Sequence, residues 1–148
     1  KRNRKKKYCS KECQLGIWIQ AGGDTAEKQG RVLEYDVIST LQEMGYEVEF
    51  SPQKLIENRF PVDAYLPEID VYLQADGIYW HAKPEFYLDE ELDENQLKHR
   101  RNDLEFEKIC LDKKIKFARF WQDDFYSNPR YVLQNAITTA LNRYSFFQ

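Results

Sequence analysis

The sequence of 148 residues lacks the features of several protein classes. It contains no apolar run near the roughly 20 residues that a membrane-spanning helix needs, and no secretory signal opens it. Low-complexity tracts and internal repeats are also missing, while 42% of the residues are hydrophobic and 15% are aromatic. This composition is typical of a globular domain that buries a hydrophobic core of its own, and it predicts no membrane partner.

Cysteine is scarce, with three residues in the chain. An odd number of cysteines without a secretory signal indicates a reducing compartment, so we expect a cytoplasmic protein. Cys9 and Cys13 lie in YCSKEC, which looks like half of a zinc finger, but zinc takes four ligands and no second pair lies nearby. Zinc is therefore expected only if an upstream half-site exists, and two free thiols are the alternative. Cys110 falls in a helical pattern and is expected to be a small core residue.

Positive charge is concentrated in two places, although the formal net charge is −3. Six of the first seven residues, KRNRKKK, are basic, and KHRR at residues 98–101 forms a second basic run. An acidic average with local basic clusters is compatible with a DNA enzyme that also holds a metal ion on carboxylates. A solvated tail is the alternative for the first run. Because the chain opens on this run rather than on methionine, we expect a piece of a longer protein, with a basic segment at 1–24 and the main domain at 25–148.

Hydrophobic periodicity predicts the element order α-β-β-β-α-β-α, an α/β fold in which helices flank a small central mixed sheet. The predicted helices cover residues 25–44, 89–113 and 128–144, and the predicted strands cover 46–50, 62–66, 69–75 and 115–121. Residues 51–61 read as a loop. The middle helix is expected to bury Leu97, Leu104 and Leu111, and the last helix Val132, Ala136 and Leu141.

Acidic residues interrupt the apolar pattern of these elements. Glu34 is predicted on the apolar face of the first helix, where an unpaired charge is costly unless it lies at an edge or pairs with Arg31. Asp63 is expected roughly opposite Gln74 and Ala75, close to where the next strand ends in Asp76. Two such acids repel each other unless a cation lies between them. Carboxylate and carbonyl oxygens suit a hard divalent ion, whereas two solvated edge acids are the alternative.

The segment DGIYWHAK at residues 76–83 leaves a strand with an acid, a glycine turn, two aromatic residues and one of two histidines in the chain. An imidazole with a pKa near 6.5 is suited to proton transfer at neutral pH, so His81 is a candidate for that role beside a metal. Asp103, in HRRND, is a candidate to orient His81 through its other ring nitrogen. A structural histidine and a solvated acid are the alternatives.

Taken together, these residues resemble a known family. A helix with an inward Glu, PVD at a strand start, a strand ending in ADGIYWH, a helix with RRND and a strand ending in RFW are similar to the very-short-patch-repair (Vsr) fold. That fold is a branch of the restriction-endonuclease-like PD-(D/E)xK superfamily. Over about residues 25–125 the closer similarity is to phage-type homing endonucleases with the EDxHD motif. The resemblance implies a divalent-metal-dependent endonuclease that hydrolyses phosphodiester bonds in double-stranded DNA, in a bacterial or phage-infected cell, with a homodimer as one option.

The resemblance also implies roles for individual residues. Asp63 would bind a catalytic Mg²⁺ or Mn²⁺ together with the Ala75 carbonyl, and Glu34 would hold water on that ion. His81 would transfer a proton and Asp103 would orient its ring, while Asp76 stands where the repair branch has a histidine and is an open candidate for a further metal ligand. The residues expected to bind DNA are Tyr79, Trp80, Lys98, Arg100 and Arg101, with core packing as the alternative for the two aromatic residues.

The sequence departs from the repair branch where that branch holds a structural zinc ion. Ile78, Lys83 and Glu85 occupy the places of zinc ligands, so that zinc is not expected. This departure disfavours mismatch repair and favours the homing-endonuclease interpretation. Two alternatives stay open: a repair-type or restriction-type nickase, and a non-catalytic DNA-binding module on a nuclease fold.

Overall fold

The computed structural model of the chain describes residues 26–50 and 55–145. The YCSKEC segment with Cys9 and Cys13 and the first basic run lie outside the described residues, as does the side chain of Arg31. The predictions made for those parts of the sequence therefore stay predictions.

The described chain combines helices and strands in an α/β fold. The elements are α1 (Ala26–Glu43), β1 (Leu55–Ile56), β2 (Phe60–Pro61), β3 (Ala64–Leu66), β4 (Val71–Asp76), a 3-10 turn (Asp89–Glu91), α2 (Glu94–Asp112), β5 (Phe117–Trp121), α3 (Gln122–Ser127) and α4 (Pro129–Asn142). Within the described ranges, no helix combines the length and apolarity that crossing a bilayer requires.

A three-stranded mixed sheet in the order β3-β4-β5 forms the centre of the fold. β3 runs antiparallel to β4 with Ala64 opposite Leu73, and β5 runs parallel to β4 with Arg119 opposite Gln74. The small mixed sheet is therefore confirmed. The predicted strand at 46–50 is wrong in extent, because within it only Glu49 bridges to β3. The predicted loop at 51–61 also contains a hairpin, in which β1 pairs with β2.

Two hydrophobic cores lie against the central strands. The first joins α1 and α4 to the sheet through Leu33, Val37, Leu41, Leu73, Phe120, Leu133, Ala136, Ile137 and Ala140, among others. The second joins α2 to the sheet and to the β1–β2 hairpin through Ile56, Phe60, Val62, Phe106, Cys110 and Phe117. The prediction of Cys110 and Ala136 as core residues is confirmed. Leu141 is 42% exposed, so its predicted burial is wrong, and Leu133 and Ile137 take that place.

The buried face of α2 differs from the predicted one. Leu97, Leu104 and Leu111 are exposed, and Leu104 is 64% exposed. The helix turns Phe106 inward, where its ring packs edge-on against the ring of Phe117 with the centroids 5.6 Å apart. The buried side of α2 is therefore the side that carries Phe106. The spacing of the three leucines in the sequence points to a different side of the helix.

Candidate active site

A cleft of about 640 Å³ opens between α1, the β1–β2 hairpin, the end of β4 and α2. Its lining includes all six residues predicted for metal binding or catalysis, which are Glu34, Asp63, Ala75, Asp76, His81 and Asp103. These residues come from positions as far apart as 34 and 103 in the sequence. The fold therefore brings the predicted set to one place.

Asp63 is fixed by hydrogen bonds to β4. The Ala75 N–H donates to Asp63 Oδ2 at 2.7 Å, and the Asp63 N–H donates to Gln74 Oε1 at 3.0 Å. The predicted position opposite Gln74 and Ala75 is confirmed. The chain bends at Asp63, between Val62 in the α2 core and Ala64 in the α1 core. The carboxylate consequently continues the β3–β4 hydrogen bonding at the point where β3 begins.

Glu34 and Asp63 form a carboxylate pair. Burial raises the pKa of Asp63 well above its ordinary value, and the neighbouring charge of Glu34 raises it further, with a smaller contribution from Asp76. Glu34 itself is exposed, at the edge of the apolar face that includes Leu33. Glu34 was predicted on the apolar face of the first helix, and this prediction is corrected: Glu34 lies at the edge of that face. Two carboxylates this close are stable with a shared proton or with a cation between them.

His81 and Asp103 form a hydrogen-bonded pair. His81 Nδ1 lies 2.6 Å from Asp103 Oδ2. Although burial acts to raise the pKa of Asp103, the hydrogen bond from His81 and the charge of Arg119 lower it below its ordinary value. A carboxylate at this distance favours the tautomer of His81 with the proton on Nδ1, in which Nε2 holds the lone pair. This arrangement orients an imidazole as a proton acceptor.

Arg119 on β5 is a site residue that the sequence did not predict. Its Nε and Nη2 atoms donate to the two oxygens of Asp76 at 2.9 and 2.8 Å, and Nη2 lies 2.9 Å from Asp103 Oδ1. Asp76 is 6% exposed, so this guanidinium neutralises a buried acid. Both Asp76 oxygens face Arg119, which favours a structural role for Asp76 over a role as a metal ligand. A charged residue inside the apolar strand FARFW was the available signal.

The turn that carries His81 is held by buried polar contacts. Ala82 adopts a φ of 51°, which is rare outside glycine and occurs at constrained sites. Next to it, Lys83 is 3% exposed, and its ammonium group lies 2.7 and 2.9 Å from the Asp123 oxygens. Gln96 of α2 donates to the Tyr79 carbonyl at 2.9 Å. The buried ammonium group of Lys83 therefore stabilises this segment, for which no structural zinc ion was predicted.

Aromatic rings connect this turn to α2. The ring centroids of Tyr79 and Trp80 lie 5.1 Å apart, those of Trp80 and His99 5.2 Å, and those of His99 and His81 5.5 Å. Trp80 and His99 line the cleft. Burial, assisted by His81, lowers the pKa of His99. His99 entered the sequence analysis only as part of a basic run, so its place beside His81 is a second feature that sequence reasoning missed.

The basic residues predicted to bind DNA lie on α2 outside this cleft. Lys98 and Arg101 are exposed, whereas Arg100 lies 2.7 Å from Asp89 in an ion pair. None of these three residues belongs to the cleft lining. Their contact with DNA stays a prediction, as does that of Tyr79 and Trp80.

The carboxylate pair is the part of the cleft that fits a metal ion. In the part of the chain that the structure describes, no group of three or more His, Cys, Asp and Glu side chains is arranged to hold one. Mg²⁺, however, commonly binds one or two carboxylates and completes its shell with water and substrate phosphate. Glu34 and Asp63, with Ala75 in the same cleft lining, fit that smaller donor set.

The chain was compared with protein-family models, curated proteins and solved structures. No family model, no curated protein and no solved structure matches it.

Proposed function

We propose that this chain is the catalytic domain of a divalent-metal-dependent DNA endonuclease with a PD-(D/E)xK-type fold, of the kind found in EDxHD homing endonucleases. The observation that carries the proposal is the combination of two pairs in one cleft: Glu34 with Asp63, and His81 with Asp103. The first pair provides oxygen ligands, and the second provides an oriented base. Hydrolysis of a phosphodiester needs both kinds of group.

Glu34 and Asp63 would hold Mg²⁺ or Mn²⁺, together with the Ala75 carbonyl. The ion supplies positive charge to the phosphate oxygens, which gain negative charge during the reaction. The N–H of Ala75 already fixes one Asp63 oxygen at 2.7 Å, so this ligand is positioned before a metal binds. The raised pKa of Asp63 indicates a carboxylate that gains from a cation, because burial and the neighbouring charge of Glu34 both disfavour its ionised form.

His81 would accept a proton from the attacking water at Nε2. The water oxygen bonds to phosphorus as the bond to the leaving nucleotide oxygen breaks, and the water proton moves to the imidazole. Asp103 stabilises the imidazolium that results, because its carboxylate accepts the Nδ1–H at 2.6 Å. Arg119 holds Asp103 Oδ1 at 2.9 Å, which keeps the carboxylate turned toward the ring.

Cleavage of supercoiled plasmid DNA tests the proposal. The unmodified chain is expected to cut with Mg²⁺ and to stop cutting with EDTA. Asp63→Ala and His81→Ala are each expected to lower the rate at least about a hundredfold, in line with the loss of a metal ligand or a general base. Asp112→Ala is the matched control, since this exposed acid of α2 lies outside the cleft and should cut normally.

Two other outcomes would separate the alternatives. Metal-independent cutting that survives both substitutions would overturn the assignment of the site. Absence of cutting by the unmodified chain at low salt, combined with a gel shift on the same DNA, would support a non-catalytic DNA-binding module.

A further inference from the structure

The β1–β2 hairpin places one guanidinium on the wall of the cleft. Arg59 lines the cleft next to Phe60 and Pro61, on the wall that also leads to Asp63. Building on the proposed function, we propose that Arg59 binds a backbone phosphate of the DNA substrate, and that this phosphate takes the place of Glu105 as the partner of the guanidinium. The hairpin is thereby a DNA-contacting arm that none of the sequence motifs predicts.

The charge of the cleft supports this role. Its lining includes the carboxylates of Glu34, Asp63, Asp76 and Asp103. Arg119 neutralises Asp76, while the other acids add negative charge that repels a phosphodiester. Among the described residues of the lining, Arg59 is the one Lys or Arg side chain. An acidic cleft that takes an anionic substrate needs cations at its rim as well as a metal at its centre. Arg59 is placed to supply that charge.

The present partner of Arg59 is easily exchanged. Its Nη1 and Nη2 atoms donate to the two oxygens of Glu105 at 2.7 and 2.8 Å. The side chains are 58% and 46% exposed, and exposed ion pairs contribute little to stability because water and salt screen them. A phosphate offers the guanidinium the same two-pronged geometry as a carboxylate. Exchange of Glu105 for phosphate therefore keeps both hydrogen bonds.

The backbone of the arm is fixed relative to Asp63. Phe60 packs against Phe106 with ring centroids 5.7 Å apart. Gln74 donates to the Pro61 carbonyl at 2.9 Å and accepts the Asp63 N–H at 3.0 Å, so one side chain ties the hairpin to the predicted metal ligand. A phosphate held by Arg59 would consequently lie at a defined distance from the reacting phosphate, which is how a binding contact positions a substrate for catalysis.

Two residues on α2 and at its C-terminal end, which form ion pairs with the hairpin, provide controls. Glu105→Ala removes the same ion pair as Arg59→Ala but leaves the guanidinium in place. Lys113→Ala removes the second ion pair between α2 and the hairpin, in which Lys113 Nζ lies 2.8 Å from Glu57 Oε2. Neither Glu105 nor Lys113 lines the cleft. A purely structural role of Arg59 would make Glu105→Ala as harmful as Arg59→Ala.

The experiment measures the affinity of a fluorescent DNA duplex in EDTA, so that nothing is cut, over a series of salt concentrations. Arg59→Ala is expected to weaken binding about tenfold. The slope of log affinity against log salt, which is negative, is expected to become shallower by about 0.9, the value for one phosphate contact. Glu105→Ala and Lys113→Ala are expected to bind as tightly as the unmodified chain, or more tightly, with an unchanged slope.

Three results would overturn the inference. An unchanged slope in Arg59→Ala, or equal weakening in Glu105→Ala, would do so while leaving the nuclease proposal intact, since plasmid cutting tests that proposal separately. The third result is failure of the unmodified chain to bind DNA in EDTA even at low salt, and the nuclease proposal would then still be decided by plasmid cutting with Mg²⁺.

Discussion

Arg119 contacts two of the four acidic residues that line the cleft, Asp76 and Asp103. It neutralises Asp76 and contacts Asp103, so these two acids share one guanidinium. Glu34 and Asp63 form a second pair in the same cleft. Breaking a buried ion pair is costly, so this division is stable. The two groups of carboxylates therefore differ: Asp76 and Asp103 share the guanidinium of Arg119, whereas the raised pKa of Asp63 gives it a raised affinity for a proton or a metal ion.

Asp63→Asn tests this contrast through its pH dependence. The pKa of Asp63 is raised on folding, so the folded chain binds more protons than the unfolded chain between the ordinary value of 3.8 and the raised value. Stability then falls as pH rises through that window, and the cost persists above it. The amide removes this cost. In EDTA, the melting temperature of Asp63→Asn is expected to exceed that of the unmodified chain by a margin that grows as pH rises from about 4 and levels off above the raised pKa of Asp63.

The same variant also reports on the metal. Excess Mg²⁺ stabilises a folded protein that binds it, by an amount set by the ratio of concentration to Kd. At pH 8, Mg²⁺ is expected to raise the melting temperature of the unmodified chain and to leave that of Asp63→Asn nearly constant, as scanning calorimetry would record. An equal response of both proteins to Mg²⁺ would contradict the assignment of Asp63 as a ligand.

Single residues were predictable where they interrupted a pattern within one element. Glu34, Asp63 and His81 each did so, and the fold brings them to one cleft. Arg119 and His99 escaped because their partners lie on other elements. The position of Arg119 opposite Gln74 follows from the register of β5 on β4, and no local pattern in the sequence encodes that register.

At the scale of elements, the end of α2 was predicted within one residue, whereas its predicted start at residue 89 lies five residues too early and its predicted buried face is wrong. α2 begins at Glu94, since Asp93 and Gln96 form a capping box in which each side chain accepts the backbone N–H of the other. The signature D-x-x-Q is visible in the sequence at that point. The β1–β2 hairpin had no such signal, because strands of two residues depend on tertiary contacts such as Phe60 with Phe106.

The corrected orientation of α2 leads to a prediction about stability. Leu104→Gln is expected to change the free energy of unfolding by no more than about 0.5 kcal/mol, because this side chain is 64% exposed. Phe106→Ala is expected to cost about 3–5 kcal/mol, since Phe106 is 3% exposed and its removal leaves a cavity against Phe60 and Phe117. Urea denaturation of both variants measures the difference. A loss above about 1.5 kcal/mol in Leu104→Gln would show that the leucine stripe is buried after all.

At the scale of the molecule, the groups proposed to bind metal and to accept a proton lie in one cleft, and each chain has one such set among its described residues. One set of groups acts on one phosphodiester at a time. A double-strand break therefore requires either two chains or two successive visits by one chain. The order in which DNA products appear consequently reports how the whole molecule works.

Plasmid cutting at limiting protein is expected to give nicked circles first and linear DNA later. The initial rate of nicking should rise in proportion to protein concentration, because one chain suffices for it. The rate of linearisation should rise more steeply if two chains act together, approaching the square of the concentration. Gel analysis of a time course over a tenfold range of protein distinguishes these orders. Linear DNA formed from the outset, without a nicked intermediate, would instead require a dimer that forms before it meets DNA and places two clefts on opposite strands.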